Sequence, residues 1–158
     1  MAHDTFGPSR ASRLDAVLDF LRLLWDIEHS LERTSKRMRR TLGITGPQRL
    51  VLRIVGQFPG VSAGELAEIV HLHPSTITGI LQRLVRKGLL ARERDPIDSR
   101  RVRLKVRPKG RVLTRSASGT VESVVAHTLA RATARDVRGA REILAAIAAA
   151  LAADHAAP

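Results

Sequence analysis

His71–Gly88 reads HLHPSTITGILQRLVRKG and Leu89–Gly110 continues as LLARERDPIDSRRVRLKVRPKG, and this pair of stretches decides the fold. Pro74 is placed to open a helix, with His73 at the N-cap and Gly88 as the stop. At about 100° per residue, Ile77, Ile80, Leu81 and Leu84 share one face of that helix. Ser75, Gly79, Gln82 and Arg86 lie opposite, flanked by Thr78 and Arg83. One face packs and the other offers hydrogen-bonding groups. After Gly88 the period changes to two: Val102, Leu104 and Val106 alternate with Arg101, Arg103 and Lys105, the pattern of a half-buried strand. Leu89–Arg94 is its partner, and the intervening DPIDS turn, residues 95–99, carries Asp and Pro in turn-forming positions. The pair is a hairpin beside the helix, a wing.

Working outward, Ser62 and Glu65 form a capping box ahead of Leu66, Ile69 and Val70, a third, short helix. It joins the Pro74 helix through a tight connection at His71–His73, as a helix-turn-helix requires. Upstream, Thr45, Pro47 and Gln48 cap a second helix carrying Leu50, Val51, Leu52, Ile54 and Val55 and ending near Gly56. Residues 10–41 place Leu14, Val17, Leu18, Leu21, Leu24, Trp25 and Leu31 at 3/4 spacing, specifying a long amphipathic first helix whose apolar stripe needs a partner. Downstream, Pro108 opens a fifth helix running through Val112, Leu113, Val121, Val124, Val125 and Leu129, with Gly119 a weak point. Thr133 and Asp136 cap a sixth, Ala-rich helix bearing Val137, Ile143, Leu144, Ile147 and Leu151. The expected fold is mainly α, six helices and a small β-hairpin wing, without internal repeats.

Charge narrows the function. Of the net +12 on 158 residues, +9 falls on residues 71–111, where twelve Lys and Arg face three acids. Charge so concentrated is a footprint for a polyanion, because each cation that meets a phosphate releases counterions. Aromatic residues are 3% of the chain, with one Trp, three Phe and no Tyr. Single strands bound by ring stacking are therefore a poor fit, and duplex DNA a better one. A membrane surface fits less well, since the excess is not on a strongly apolar amphipathic helix. The absence of cysteine removes disulfides, thiolate ligands and Cys nucleophiles. The start of the chain lacks a signal-type apolar segment and no run of about 18 apolar residues occurs, so a cytoplasmic protein is expected. No paired-carboxylate site, GxSxG or phosphate-cradling glycine loop points to an enzyme. His71 and His73 form an H-x-H without a third ligand nearby, so neither a metal nor another cofactor is expected.

The order of a long helix, a helix-turn-helix, a wing and two closing helices resembles the MarR family of winged helix-turn-helix regulators over roughly residues 12–153. The matching stretches are Thr45–Leu52 (TGPQRLVL), Ser75–Gly88 (STITGILQRLVRKG), Asp95–Arg101 (DPIDSRR) and Arg107–Gly110 (RPKG). The resemblance implies an intertwined homodimer on a pseudo-palindromic operator in double-stranded DNA, with the fourth helix of each lobe in the major groove. On that reading the chain divides into a tail at 1–11 that is expected to be disordered, a dimerisation helix at 12–41, a DNA-binding domain at 42–107, C-terminal dimerisation helices at 108–153, and a tail at 154–158. The family's wing arginine, two residues after an aspartate, matches Arg100 after Asp98. Its guanidinium would enter the narrow minor groove, held by charge-assisted hydrogen bonding to Asp98.

Chemistry assigns the remaining roles. Gln82 suits adenine, and Arg83 or Arg86 suits guanine. Ser75, Thr76 and Thr78 suit phosphates or thymine methyls, and Gly79 permits close approach. Lys87, Arg94, Arg101 and Arg103 are phosphate contacts that position without specifying; the competing reading of any one wing charge is a solvated hairpin face. The resemblance also implies a small anionic or aromatic effector that releases a repressor from DNA. The candidates are Trp25, His29 and Arg33, successive turns of the first helix, with Gln48 at the start of the second; the stronger competing reading makes Trp25 a core or dimer-interface residue and Arg33 a solvated charge. The alternative function is a sequence-indifferent architectural DNA binder.

Overall fold

The computed structural model describes residues 15–98, 100–115 and 118–154. Leu14, the expected N-terminal tail, Ser99 of the wing turn and residues 155–158 lie outside them. The order of elements is α1 (Ala16–Leu42), α2 (Gly46–Gln57), α3 (Ala63–Val70), α4 (Pro74–Arg86), β1 (Leu90–Arg94), β2 (Val102–Val106), α5 (Pro108–Arg115), α6 (Val121–Leu129) and α7 (Ala134–Asp154). They fall into two compact units that divide between residues 116 and 117.

Local chemistry starts most of the helices where the sequence places them. Asp15 caps α1 by accepting from the Leu18 N–H at 2.9 Å. Thr45 and Gln48 close a reciprocal capping box on α2, as do Ser62 and Glu65 on α3. The backbone N–H of Ser62 is the main reason the Glu65 carboxyl is held below its ordinary pKa, and the Ser62 side chain adds to it. His73 caps α4, its Nδ1 3.3 Å from the Ser75 nitrogen. His71 ends α3 in the left-handed region, at φ 51°. Thr133 and Asp136 satisfy each other's N–H groups at the start of α7, each at 3.2 Å.

The expected fifth helix is corrected to two, making seven helices. Gly119 takes φ +72°, where a side chain would be strained, and Thr120 starts α6 afresh by accepting from Ser123 N–H at 3.3 Å. The pattern of Val112 to Leu129 is helical on both sides of that point, so periodicity alone joins what the glycine separates.

The core of the first unit gathers Ile44, Val51, Leu52 and Val55 with Leu66, Ile77, Leu81 and Leu84, closed by Leu89, Leu90, Leu104 and Val106 from the hairpin. The four apolar residues expected on the inner face of α4 are all buried. β1 and β2 pair antiparallel with Leu90 opposite Val106 and Arg94 opposite Val102. Leu104 and Val106 are buried as the alternation requires, whereas Val102, at the tip end, is 44% exposed because the wing has left the core there. The outer edge of β2 is anchored: Leu104 O accepts from Gly60 N–H at 3.2 Å, and Leu104 N–H donates to Val61 O at 3.0 Å. The loop between α2 and α3 thus holds the wing's base and fixes it beside α4.

Candidate nucleic-acid interface

The outer face of α4 is open. Ser75, Thr76, Thr78, Gln82, Arg83 and Arg86 are exposed, and a Cβ added to the half-buried Gly79 would meet nothing within 4 Å. Two hydroxyls are already engaged. Ser75 Oγ lies 2.7 Å from His73 Nδ1, and Thr78 donates to Pro74 O at 2.9 Å. Both oxygens keep acceptor capacity for a further partner. Lys87 is also engaged within the fold, because its Nζ donates to the carbonyl of Gly43, just past α1, at 2.6 Å. That contact satisfies a carbonyl at a helix C-terminus and ties α4 to α1.

The wing tip is organised by Asp95, a side chain that the sequence alone marks only as a turn former. Its carboxylate is buried and accepts from Ile97 N–H at 2.8 Å, Asp98 N–H at 3.3 Å and Arg103 Nε at 2.6 Å. The Ile97 amide is the main reason its pKa is held below the ordinary value, with Asp98 N–H and Arg103 adding to it against a smaller opposing effect of burial. Arg103 therefore staples the hairpin as well as carrying charge. Asp98 positions Arg100 differently from the expected guanidinium contact. Its carboxylate accepts from the Arg100 backbone N–H at 3.0 Å, while its carbonyl accepts from Arg101 N–H at 2.9 Å. A short Asx-type turn thus sets the direction of the backbone at Arg100. No ion pair or hydrogen bond engages the Arg100 guanidinium among the described residues. Arg94, Arg100 and Arg101 are all exposed, and Ile97 beside them is 90% exposed.

Three contributors escape the sequence reading. Arg92 of β1 lines a shallow groove of about 320 Å³ with Gln82, Val85 and Arg86, so the strand adds a cation to the face of α4. Arg49 is buried at 0% exposure, and its guanidinium donates to the carbonyls of Leu113 and Thr114 in the last turn of α5. Gly110 is buried where α5 crosses Leu89. The signal for Arg92 is its place two residues after the inward-facing Leu90. Arg49 and Gly110 act across tertiary contacts and leave no local pattern.

The effector candidates are not gathered into one site. Trp25, His29 and Arg33 are exposed on α1, with Trp25 at 65%, whereas Gln48 is buried with its amide oxygen in the α2 capping box. The recess that Arg33 lines is formed with Ser30, Lys36, Arg37 and Arg40 and includes none of the other three. Among the described residues no group of three His, Asp or Glu side chains is placed to hold a metal, and no helix is long and apolar enough to cross a membrane.

Residues 44–102, from the start of α2 to the wing, match the model of the MarR family. A transcriptional repressor of helix-turn-helix type from Mycobacterium tuberculosis is 32% identical over 103 residues, 65% of this chain and 74% of the relative. The chain belongs to the MarR family. It is a transcriptional regulator of winged helix-turn-helix type and not an enzyme. Among solved MarR-like structures, the PcaV regulator of Streptomyces coelicolor in complex with its natural ligand is 28% identical, with TM-score 0.65 over 84% of this chain and 91% of PcaV. The Staphylococcus aureus MepR–DNA complex shares the fold, with TM-score 0.67 at 18% identity over 82% of this chain and 94% of MepR.

Proposed function

We propose that this MarR-family chain is a cytoplasmic, dimeric, sequence-specific regulator that binds a pseudo-palindromic operator in double-stranded DNA, acts as a repressor, and is released by a small aromatic or anionic effector. The observation that carries the DNA reading is the exposed polar face of α4, set beside a wing whose arginines are presented by a fixed turn. In this reading Ser75, Thr76, Thr78, Gly79, Gln82, Arg83 and Arg86 form the groove-facing surface, with Arg83 or Arg86 for guanine and Gln82 for adenine. Arg100 probes the minor groove on the turn set by Asp98. Lys87, Arg94, Arg101 and Arg103 hold phosphates, Lys87 and Arg103 with the donors left over from their internal contacts.

Dimerisation through residues 12–41 and 108–153 is supported by apolar side chains left exposed on α1, α6 and α7. The repressor reading rests on the mycobacterial relative's name, and the effector reading on PcaV, which was solved with its natural ligand. For the effector contact, Trp25, His29 and Arg33 remain the proposed residues on α1. Gln48 would join them only by giving up its capping role. The test is Arg100→Ala in a duplex titration: operator affinity should fall by about 1–3 kcal/mol if the guanidinium reads DNA. Unchanged affinity would mean that the wing stays in solvent.

A further inference from the structure

The C-terminal turn of α2, the base of β2 and α5 enclose a cleft of about 460 Å³ that none of these roles uses. Buried Val55 and Val106 form its floor, and the exposed cations Arg53, Lys105, Arg111 and Arg115 line it. Among the described residues none that lines it is acidic. Arg111 and Arg115 are one turn apart on α5, and Lys105 faces Ala91 near the base of the hairpin, away from the Asp95–Arg101 tip. The nearest carboxylate to Lys105 is Glu93, at 3.5 Å between two exposed side chains, a contact that contributes little.

The geometry points to a binding site for a compact organic dianion: an apolar ring or short chain bearing two carboxylates or comparable acidic groups. Like charges gathered around one concavity repel each other and raise the local concentration of anions. The volume lies within the range of about 300–1,000 Å³ typical of small-molecule clefts. Two guanidinium forks can each take a carboxylate through paired hydrogen bonds, which a lysine cannot match. The valine floor favours an apolar body over inorganic phosphate. This goes beyond the effector reading, since Trp25, His29, Arg33 and Gln48 do not line the cleft.

The experiment is calorimetric titration of the full chain with phthalate, using the neutral diol 1,2-benzenedimethanol as control, alongside duplex-DNA binding by the same variants. One saturable phthalate site per chain is expected, with no binding of the diol. Arg111→Gln combined with Arg115→Gln should weaken phthalate by about tenfold or more, as expected when hydrogen bonds to a charged group are removed. Lys105→Gln, at an exposed strand position, should act in the same direction and covers the case in which the double variant fails to fold. His127→Gln, an exposed change on α6 outside the cleft's lining, should leave phthalate binding unchanged. Absence of saturable binding, affinity insensitive to the three charge changes, or loss confined to His127→Gln would each overturn the site. If the charge variants weaken DNA but not phthalate, the cleft is a phosphate-backbone contact and the inference also fails. DNA affinity intact in all of them would leave the operator reading standing whatever phthalate does.

Discussion

At the scale of single residues, Asp95 is the side chain on which the wing depends most. Folding lowers its pKa, so the ionised carboxylate stabilises the turn above the ordinary carboxylate range. That contribution declines as the pH falls through the depressed folded value. Amide resonances of Ile97 and Asp98 should therefore shift together in an acid titration of the wild type and stay flat in Asp95→Asn; identical profiles would show that Asp95 does not hold the tip. The residues facing outward on α4 were legible from helical period, because exposure follows from which face is apolar. What Lys87, Arg103 and Arg49 do was not. Arg49 meets carbonyls 64 and 65 residues away, and Lys87 one 44 residues away. Charge at those positions reads the same whether it caps a helix or meets a phosphate.

Among the elements, boundaries set by neighbouring residues were readable: the capping boxes at Thr45 and Ser62, the His73 cap, and a hairpin turning at Asp95, although the expected turn at 95–99 extends to residue 101 before Arg94 pairs with Val102. The split between α5 and α6 was legible only as a weak point at Gly119, since helical spacing resumes at Val121 and nothing local requires the glycine to adopt its left-handed conformation. The seating of α5 on the hairpin depends on another glycine. A Cβ at Gly110 would overlap the carbonyl oxygen of Leu89 and approach Val106 Cγ1 to 2.9 Å, and a backbone oxygen cannot rotate away. Alanine gains up to about 1 kcal/mol in helix propensity, but overpacking costs about 1–3 kcal/mol, so the clash should win. Gly110→Ala is expected to lower the denaturation midpoint. Gly79→Ala, whose Cβ would enter open space, should raise stability by about 0.5–1 kcal/mol. Equal effects of the two in urea unfolding would refute the packing assigned to α5.

For the whole molecule, the apolar surface left uncovered is the most informative feature. Val17 at 69%, Trp25 at 65% and Ile27 at 51% stand exposed on α1, and Val124, Ile143 and Leu151 on α6 and α7 at 58%, 49% and 59%. No residue of α7 from Ala134 to Ala153 is buried. Such surfaces call for a partner, and a second copy of the chain supplies one with the same faces. Light scattering at micromolar concentration should return a dimer; a monomer would remove the interface on which two-lobed DNA reading depends. The central claim, that α4 and the wing read sequence and do not merely attract phosphate, is tested most directly by titrating the full chain at fixed salt. One arm uses duplex from the DNA flanking its own gene, the other a random duplex of equal length. The flanking duplex should contain a site bound about 10³-fold or more tightly than random sequence. Equal affinities for the two, falling together as salt rises, would contradict it.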